Sequence, residues 1–248
     1  MLAIYLKELR SYFINAIGYV YVGIFLALSA LLFCYTTLLS NSYDTSVYFT
    51  YLIFSLVVLI PLLTMKLFSE EKKLRTEQML LTAPVSITGM VLGKYFAALT
   101  IFAGSVLMSC VTFFPLSVTA AAQRAAAQSD SIFIGPSEAQ MFGSIIGIIL
   151  IGAAFIAVGM FISTLTENQL ASAVLTITVL LIMVILSLVN SLISSYAVRF
   201  VIDWLCVLSR YDNFGYGRFD FASLVYYISL SAVFIFFTVR VYEKRRWG

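Results

Sequence analysis

The chemically competent residues of this chain are few, and the missing types exclude more than the present ones suggest. No histidine occurs in the 248 residues. That removes HExxH metal sites, Ser-His-Asp and Cys-His catalysis, and histidine proton relays together. Three cysteines, Cys34, Cys110 and Cys206, stand far apart and match no metal or redox spacing, so they read as apolar packing. No GxxxxGK[ST] sequence is present, so the chain itself is not expected to hydrolyse ATP. The densest run of charge is Ser69-Glu70-Glu71-Lys72-Lys73-Leu74-Arg75-Thr76-Glu77. It leads into Met79, Leu80 and Leu81 and is stopped by Pro84. Charges next to an apolar face on a short helix form a contact surface rather than a reaction centre, because such a face needs a partner or a membrane.

The elements that must hold this segment follow from composition. The chain is 62% hydrophobic and 11% charged, with a mean hydropathy of +1.01. A soluble domain carries about 25% charged residues. The solvent is therefore lipid, where a backbone must satisfy its own hydrogen bonds as helices or a closed barrel. Continuous apolar runs without strand alternation select helices. Six spans are expected, near residues 17–39, 48–68, 95–118, 141–165, 170–191 and 221–239. Residues 1–15 lack the h-region of a signal peptide. Leu2, Tyr5, Leu6, Leu9, Tyr12 and Phe13 share one helical arc, with Lys7, Glu8, Arg10 and Ser11 opposite and Ile4 the misfit. This predicts an amphipathic helix in the membrane interface, with a plain extension of the first span as the alternative. Residues 192–220 hold Arg199 and Asp203 one turn apart in an apolar stretch too short to cross, so a re-entrant helical pair is expected there.

Charge sets the orientation. Six spans place Lys7, Arg10, Lys66, Lys72, Lys73, Arg75, Lys94, Arg240, Lys244, Arg245 and Arg246 on one side, eleven of the 15 basic residues. The positive-inside rule makes that side, with both termini, cytoplasmic. The cores of the spans read as uncharged, which argues against ion-coupled transport. Span 4 carries Gly143, Gly147, Gly152 and Gly159, a pattern suited to a subunit interface or to close packing within one chain. Thr100, Ser105, Ser109, Thr112, Ser172, Thr176, Thr178 and Ser187 could line a substrate route or bond back to their own helices.

Three stretches carry a family resemblance: FSEEKKLRTEQMLLTAPVS with VLGKYFAAL, GMFISTLTENQLAS, and RYDNFGYGRFDFASLVYYISLSAVFIFFTVRVYEKRRW. Together they resemble the type-2 ABC exporter permeases, in the branch of the gliding-motility and nitrous-oxide-reductase-maturation permeases. Arg75 stands where that family has glycine. The resemblance implies one transmembrane permease domain over 1–248, with a coupling segment at 69–90 and an external re-entrant segment at 192–220. It implies a bacterial cytoplasmic-membrane location, a second permease subunit, homo- or heterodimeric, and a separate ATP-binding subunit that carries the ATP and Mg. Coupling contacts would fall on Glu70, Glu71, Arg75, Thr76, Glu77, Met79, Leu80, Leu81 and Pro84. The expected function is non-catalytic: outward movement of an amphiphilic, lipid-like or peptide-like substrate. A non-transporting anchor for an ATPase that works on an extracytoplasmic partner is the alternative. Membrane lipid and an extracytoplasmic accessory protein are further expected partners; nucleic acid is not.

The orientation is testable on intact cells. A cysteine replacing Ser209 should react with an impermeant thiol reagent added from outside. Labelling only after lysis would reverse the topology.

Overall fold

The computed structural model describes residues 1–40, 45–75, 78, 86–116, 118, 138–190, 199 and 206–247. Every regular element among them is helical: α1 Leu2–Ile14, α2 Ala16–Phe33, α3 Ser46–Thr64, α4 Ser69–Lys73, α5 Ile87–Ser109, α6 Glu138–Leu165, α7 Gln169–Asn190, α8 Asp212–Gly215 and α9 Phe221–Trp247. Six stretches, built on α2, α3, α5, α6, α7 and α9, are helices long and apolar enough to cross a bilayer. Their flanks expose large apolar side chains such as Leu31, Phe114, Leu170 and Phe236. Water would not tolerate such a surface, and lipid does. The chain is a multi-pass helical membrane protein.

Within the bundle α6 is the centre and packs on α3, α5, α7 and α9. Over its most apolar window it is 67% buried, as α3 is, whereas α2 and α9 are 28% buried and line the outside. Lipid supplies no hydrophobic drive between helices, so close approach through small residues supports the packing. The four glycines of α6 provide it. A Cβ on Gly152 would lie 2.0 Å from the Phe102 ring, and one on Gly159 would lie 2.4 Å from Thr64 Oγ1. Gly143 faces the Phe214 carbonyl and Gly147 the Tyr211 ring. All four are consumed by contacts inside this chain, the second of the two readings their pattern allowed.

Two boundaries move from the sequence reading. α5 begins at Ile87, eight residues before the expected Tyr95, with Ser86 Oγ accepting the Gly89 N–H at 3.3 Å as its N-cap. Lys94 is therefore the eighth residue of a spanning helix, near its start rather than in its core. α9 runs on to Trp247, so the basic tail is helical. Segment 76–77 and 79–85, the connector 119–137, and most of the first half of 192–220 lie outside the described residues.

Replacing Gly152 by Ala should destabilise the bundle by about 1–3 kcal/mol, because the fully buried Phe102 has no open side to turn into. Thermal unfolding in mild detergent measures it. An unchanged midpoint would mean that α6 and α5 do not pack this tightly.

Candidate functional site

The site is built around a break in a helix. α3 contains Pro61 and ends at Thr64, and the chain turns through residues 65–68 before α4 begins. Such a break leaves backbone groups without helical partners, at a cost of about 1–3 kcal/mol each when buried. Neighbouring helices satisfy them. Ser163 Oγ, from α6, accepts the N–H groups of Phe68 at 3.2 Å and Ser69 at 3.1 Å. Lys94 Nζ, from α5, donates to the Leu67 carbonyl at 2.7 Å. Ser69 Oγ donates back to the Met65 carbonyl.

Lys94 is 1% exposed, and an ammonium so buried requires acceptors for all three protons. Besides the carbonyl it meets Glu71 Oε1 at 2.8 Å and Glu8 Oε1 at 3.3 Å. The Phe68 ring centroid lies 4.9 Å from Nζ. One lysine thus ties α1, the α3–α4 break, α4 and α5 together. Around it, Lys66 pairs with Glu70 at 3.2 Å, and a small cleft opens between α1 and the break, lined by Glu8, Ser11, Tyr12, Lys66, Leu67 and Glu70. Tyr12 donates to the Leu63 carbonyl at 2.7 Å, and burial pushes its phenol above the ordinary range, so it remains a donor.

α9 closes the same end. Tyr242 packs on Phe68 with ring centroids 4.8 Å apart, and Arg245 donates to the Thr164 carbonyl at 2.9 Å, capping the end of α6. Both termini therefore reach the same end of the bundle.

Of the sequence candidates, Glu70, Glu71 and Arg75 fall within the described residues. Thr76, Glu77, Met79, Leu80, Leu81 and Pro84 lie outside them. Glu71 points into the bundle at Lys94. Arg75 follows the C-terminus of α4 with φ +56°, a left-handed conformation that glycine adopts without steric cost. The resembling family has glycine at this position.

Sequence reasoning missed Glu8, Lys94 and Ser163 as site residues. It placed Glu8 on the polar side of α1, whereas Glu8 lies against Lys94. The supposed misfit Ile4 falls on the same protein-facing side, where its side chain meets the position a Cβ on Gly93 would take, 3.3 Å away. Spacing of Ile4, Glu8 and Ser11, i, i+4 and i+7, was the available signal. Among the hydroxyls weighed as a substrate route, Thr100, Ser105, Ser109, Thr112, Thr176, Thr178 and Ser187 each donate to a carbonyl of their own helix. No family model matches this chain, and no curated protein matches it.

Changing Lys94 to Ala leaves the Leu67 carbonyl and two carboxylates without their cation, and should cost about 3–5 kcal/mol. Lys94→Ala combined with Glu8→Gln and Glu71→Gln should recover part of that loss. Thermal midpoints of the single and triple variants decide it. A harmless Lys94→Ala would remove Lys94 from the centre of the site.

Proposed function

We propose that this chain is the permease subunit of an ATP-driven exporter, with the charged end of the bundle as its coupling region. The observation that carries the reading is convergence. Phe68, Ser69 and Glu71 from the first resembling stretch, Lys94 from VLGKYFAAL, Ser163 and Thr164 from GMFISTLTENQ, and Tyr242 and Arg245 from the tail all meet at one end. A common task at that end explains why stretches so distant in sequence come together there.

A force applied to α4 would pass through Glu71 and Lys94 to α5 and α1, and through Ser163 to α6. In this reading a separate ATP-binding subunit, carrying ATP and Mg, grips residues 76–82 and moves α4 as its nucleotide state changes. Only contacts that differ between its two states can drive the shift. Two copies of the permease, or this chain and a related one, would pair over two ATPase subunits. They would move an amphiphilic, lipid-like or peptide-like substrate outward. The eleven-to-four basic bias puts this end in the cytoplasm and suits a bacterial cytoplasmic membrane.

Two finer features fit. α1 turns Leu2, Leu6 and Phe13 outward beside Lys7 and Arg10, as an interface helix would. At the far end, Leu208 N–H donates to Ser187 Oγ at 3.3 Å and Tyr227 donates to the Val207 carbonyl at 2.7 Å. Those partners lie about one to two turns inside α7 and α9, which supports a re-entrant path for this segment.

Changing Leu80 and Leu81 to Ser tests the coupling. A buried Leu is worth about 1.5–3 kcal/mol, so the pair could dominate a contact with the ATPase. The variant should insert and fold normally, yet lose ATPase co-purification or uncouple hydrolysis from transport. Wild-type binding together with wild-type transport would refute the assignment.

A further inference from the structure

Three sides of α1 carry three kinds of residue. One side packs on the protein: Ile4 lies against Gly93, Glu8 against Lys94, and Tyr12 donates to the Leu63 carbonyl. A second side exposes Leu2, Leu6 and Phe13. The third carries Lys7 and Arg10, at i and i+3, with Ala3 and Ile14 on the same arc. Packing explains the first side and an apolar solvent the second, but neither calls for cations on the third. Lys7 is 62% exposed and reaches only Glu8, at 3.8 Å, an acid that turns inward to Lys94 at 3.3 Å. Arg10 is exposed and meets no acid among the described residues. An open groove of about 860 Å³ follows this side, with Leu6, Lys7, Arg10 and Ile14 in its lining.

The two ends of α1 fix its level in the membrane. Ile14 stands two residues before Ala16, where the spanning stretch Ala16–Leu38 of 23 residues begins. That stretch is about 35 Å long against about 30 Å of hydrocarbon, so its start lies at the hydrocarbon edge. Asn15 between them is extended, with φ −81° and ψ 141°, so α1 does not simply prolong α2. At the other end a Cβ on Gly89, the third residue of α5, would lie 3.9 Å from Met1 Cβ. Both ends thus sit where spanning helices enter, and α1 runs along the headgroup layer. Phe13 stacks on the exposed Tyr19 of α2 with ring centroids 5.4 Å apart, which joins the apolar side of α1 to the lipid-facing side of α2. Unpaired cations beside exposed leucines match a molecule that is anionic at one end and apolar at the other. We infer that the Lys7 and Arg10 side of α1 is a binding surface for anionic membrane lipid, with the headgroup phosphate on the two cations and the acyl chains along Leu6 and Phe13. The surface does not depend on the exporter reading.

The test places a single tryptophan on α1 in the full chain, by Phe13→Trp with Trp204→Phe and Trp247→Phe. The protein is reconstituted in phosphatidylcholine vesicles with about one-fifth phosphatidylglycerol, one lipid or the other brominated so that it quenches the tryptophan on contact. Brominated phosphatidylglycerol should quench about fivefold more than its share of the lipid, as expected for basic residues at an anionic surface. Lys7→Gln with Arg10→Gln should return quenching to that share, and raised salt should lower the excess. Arg218→Gln, beside the start of α9 at the other end of the bundle, should leave it unchanged. Quenching in simple proportion to the lipid would overturn the inference. So would an excess that the double variant or salt leaves intact, or one that Arg218→Gln removes. No quenching by either lipid would mean that protein covers this side of α1, and would overturn it equally. If the tryptophan chain does not fold, the thermal midpoint of the unaltered chain in neutral detergent carries the comparison. Phosphatidylglycerol should then raise it more than in the Lys7→Gln, Arg10→Gln variant, and equal rises would overturn the inference.

Discussion

A buried ammonium must be surrounded by acceptors or it will not stay charged, and Lys94 is the point at which this chain meets that demand. Its protons reach the Leu67 carbonyl, Glu71 and Glu8, so α1, residues 67–71 and α5, all distant in sequence, are held to one position. The Leu67 carbonyl is available only because α3 stops after Pro61 and Thr64. Glu71 is available only because α4 restarts in a direction that returns its side chain to α5. The break and the lysine are therefore mutually necessary: without the break Lys94 loses an acceptor, and without Lys94 the break holds an unsatisfied carbonyl in an apolar surround.

Ser163 completes the same logic from the other side. A single hydroxyl accepts two N–H groups that a continuous helix would have spent internally. Because it lies near the end of α6, the helix with the most extensive packing, the break is tied to the centre of the bundle. The glycines of α6 make that packing possible. Their missing side chains let Phe102, Thr64, Tyr211 and the Phe214 carbonyl approach to distances a Cβ would forbid. Dispersion over such close contacts replaces the hydrophobic drive that lipid does not provide.

The two ends of the bundle solve their polar problems differently. At the Lys94 end, carboxylates and cations neutralise one another across α1, α4 and α5. At the other end, Asp220 opens α9 by accepting the Ser223 hydroxyl at 2.6 Å and the Ala222 N–H at 3.0 Å, which holds its carboxyl below the usual range. Its folded pKa is depressed, so this cap contributes its stability above the ordinary carboxylate range and loses it as pH falls through the folded value. Arg210 stands apart from both patterns, stacked on an aromatic ring with its Nε unpaired.

Much of the architecture was legible because lipid leaves few options. Apolar runs of the right length gave six spanning helices, with ends displaced by a few residues except at the start of α5 and the end of α9. There the run IleThrGlyMetValLeuGlyLys looked like a loop because its glycines and lysine are poor signals of a span. The Ser86 cap and the buried partners of Lys94 overrode that reading. Glu70, Glu71 and the left-handed residue Arg75 were singled out by charge density and by a departure from a family pattern, both local properties. Glu8, Lys94 and Ser163 were not, because each is unremarkable in its own helix and acquires its role only from the others. Sequence by itself determined what must be buried in lipid, since that depends on the composition of each segment. Tertiary structure alone decided which polar groups share a site, because the partners of one buried charge come from segments 23 and 86 residues away, through contacts that no local period encodes.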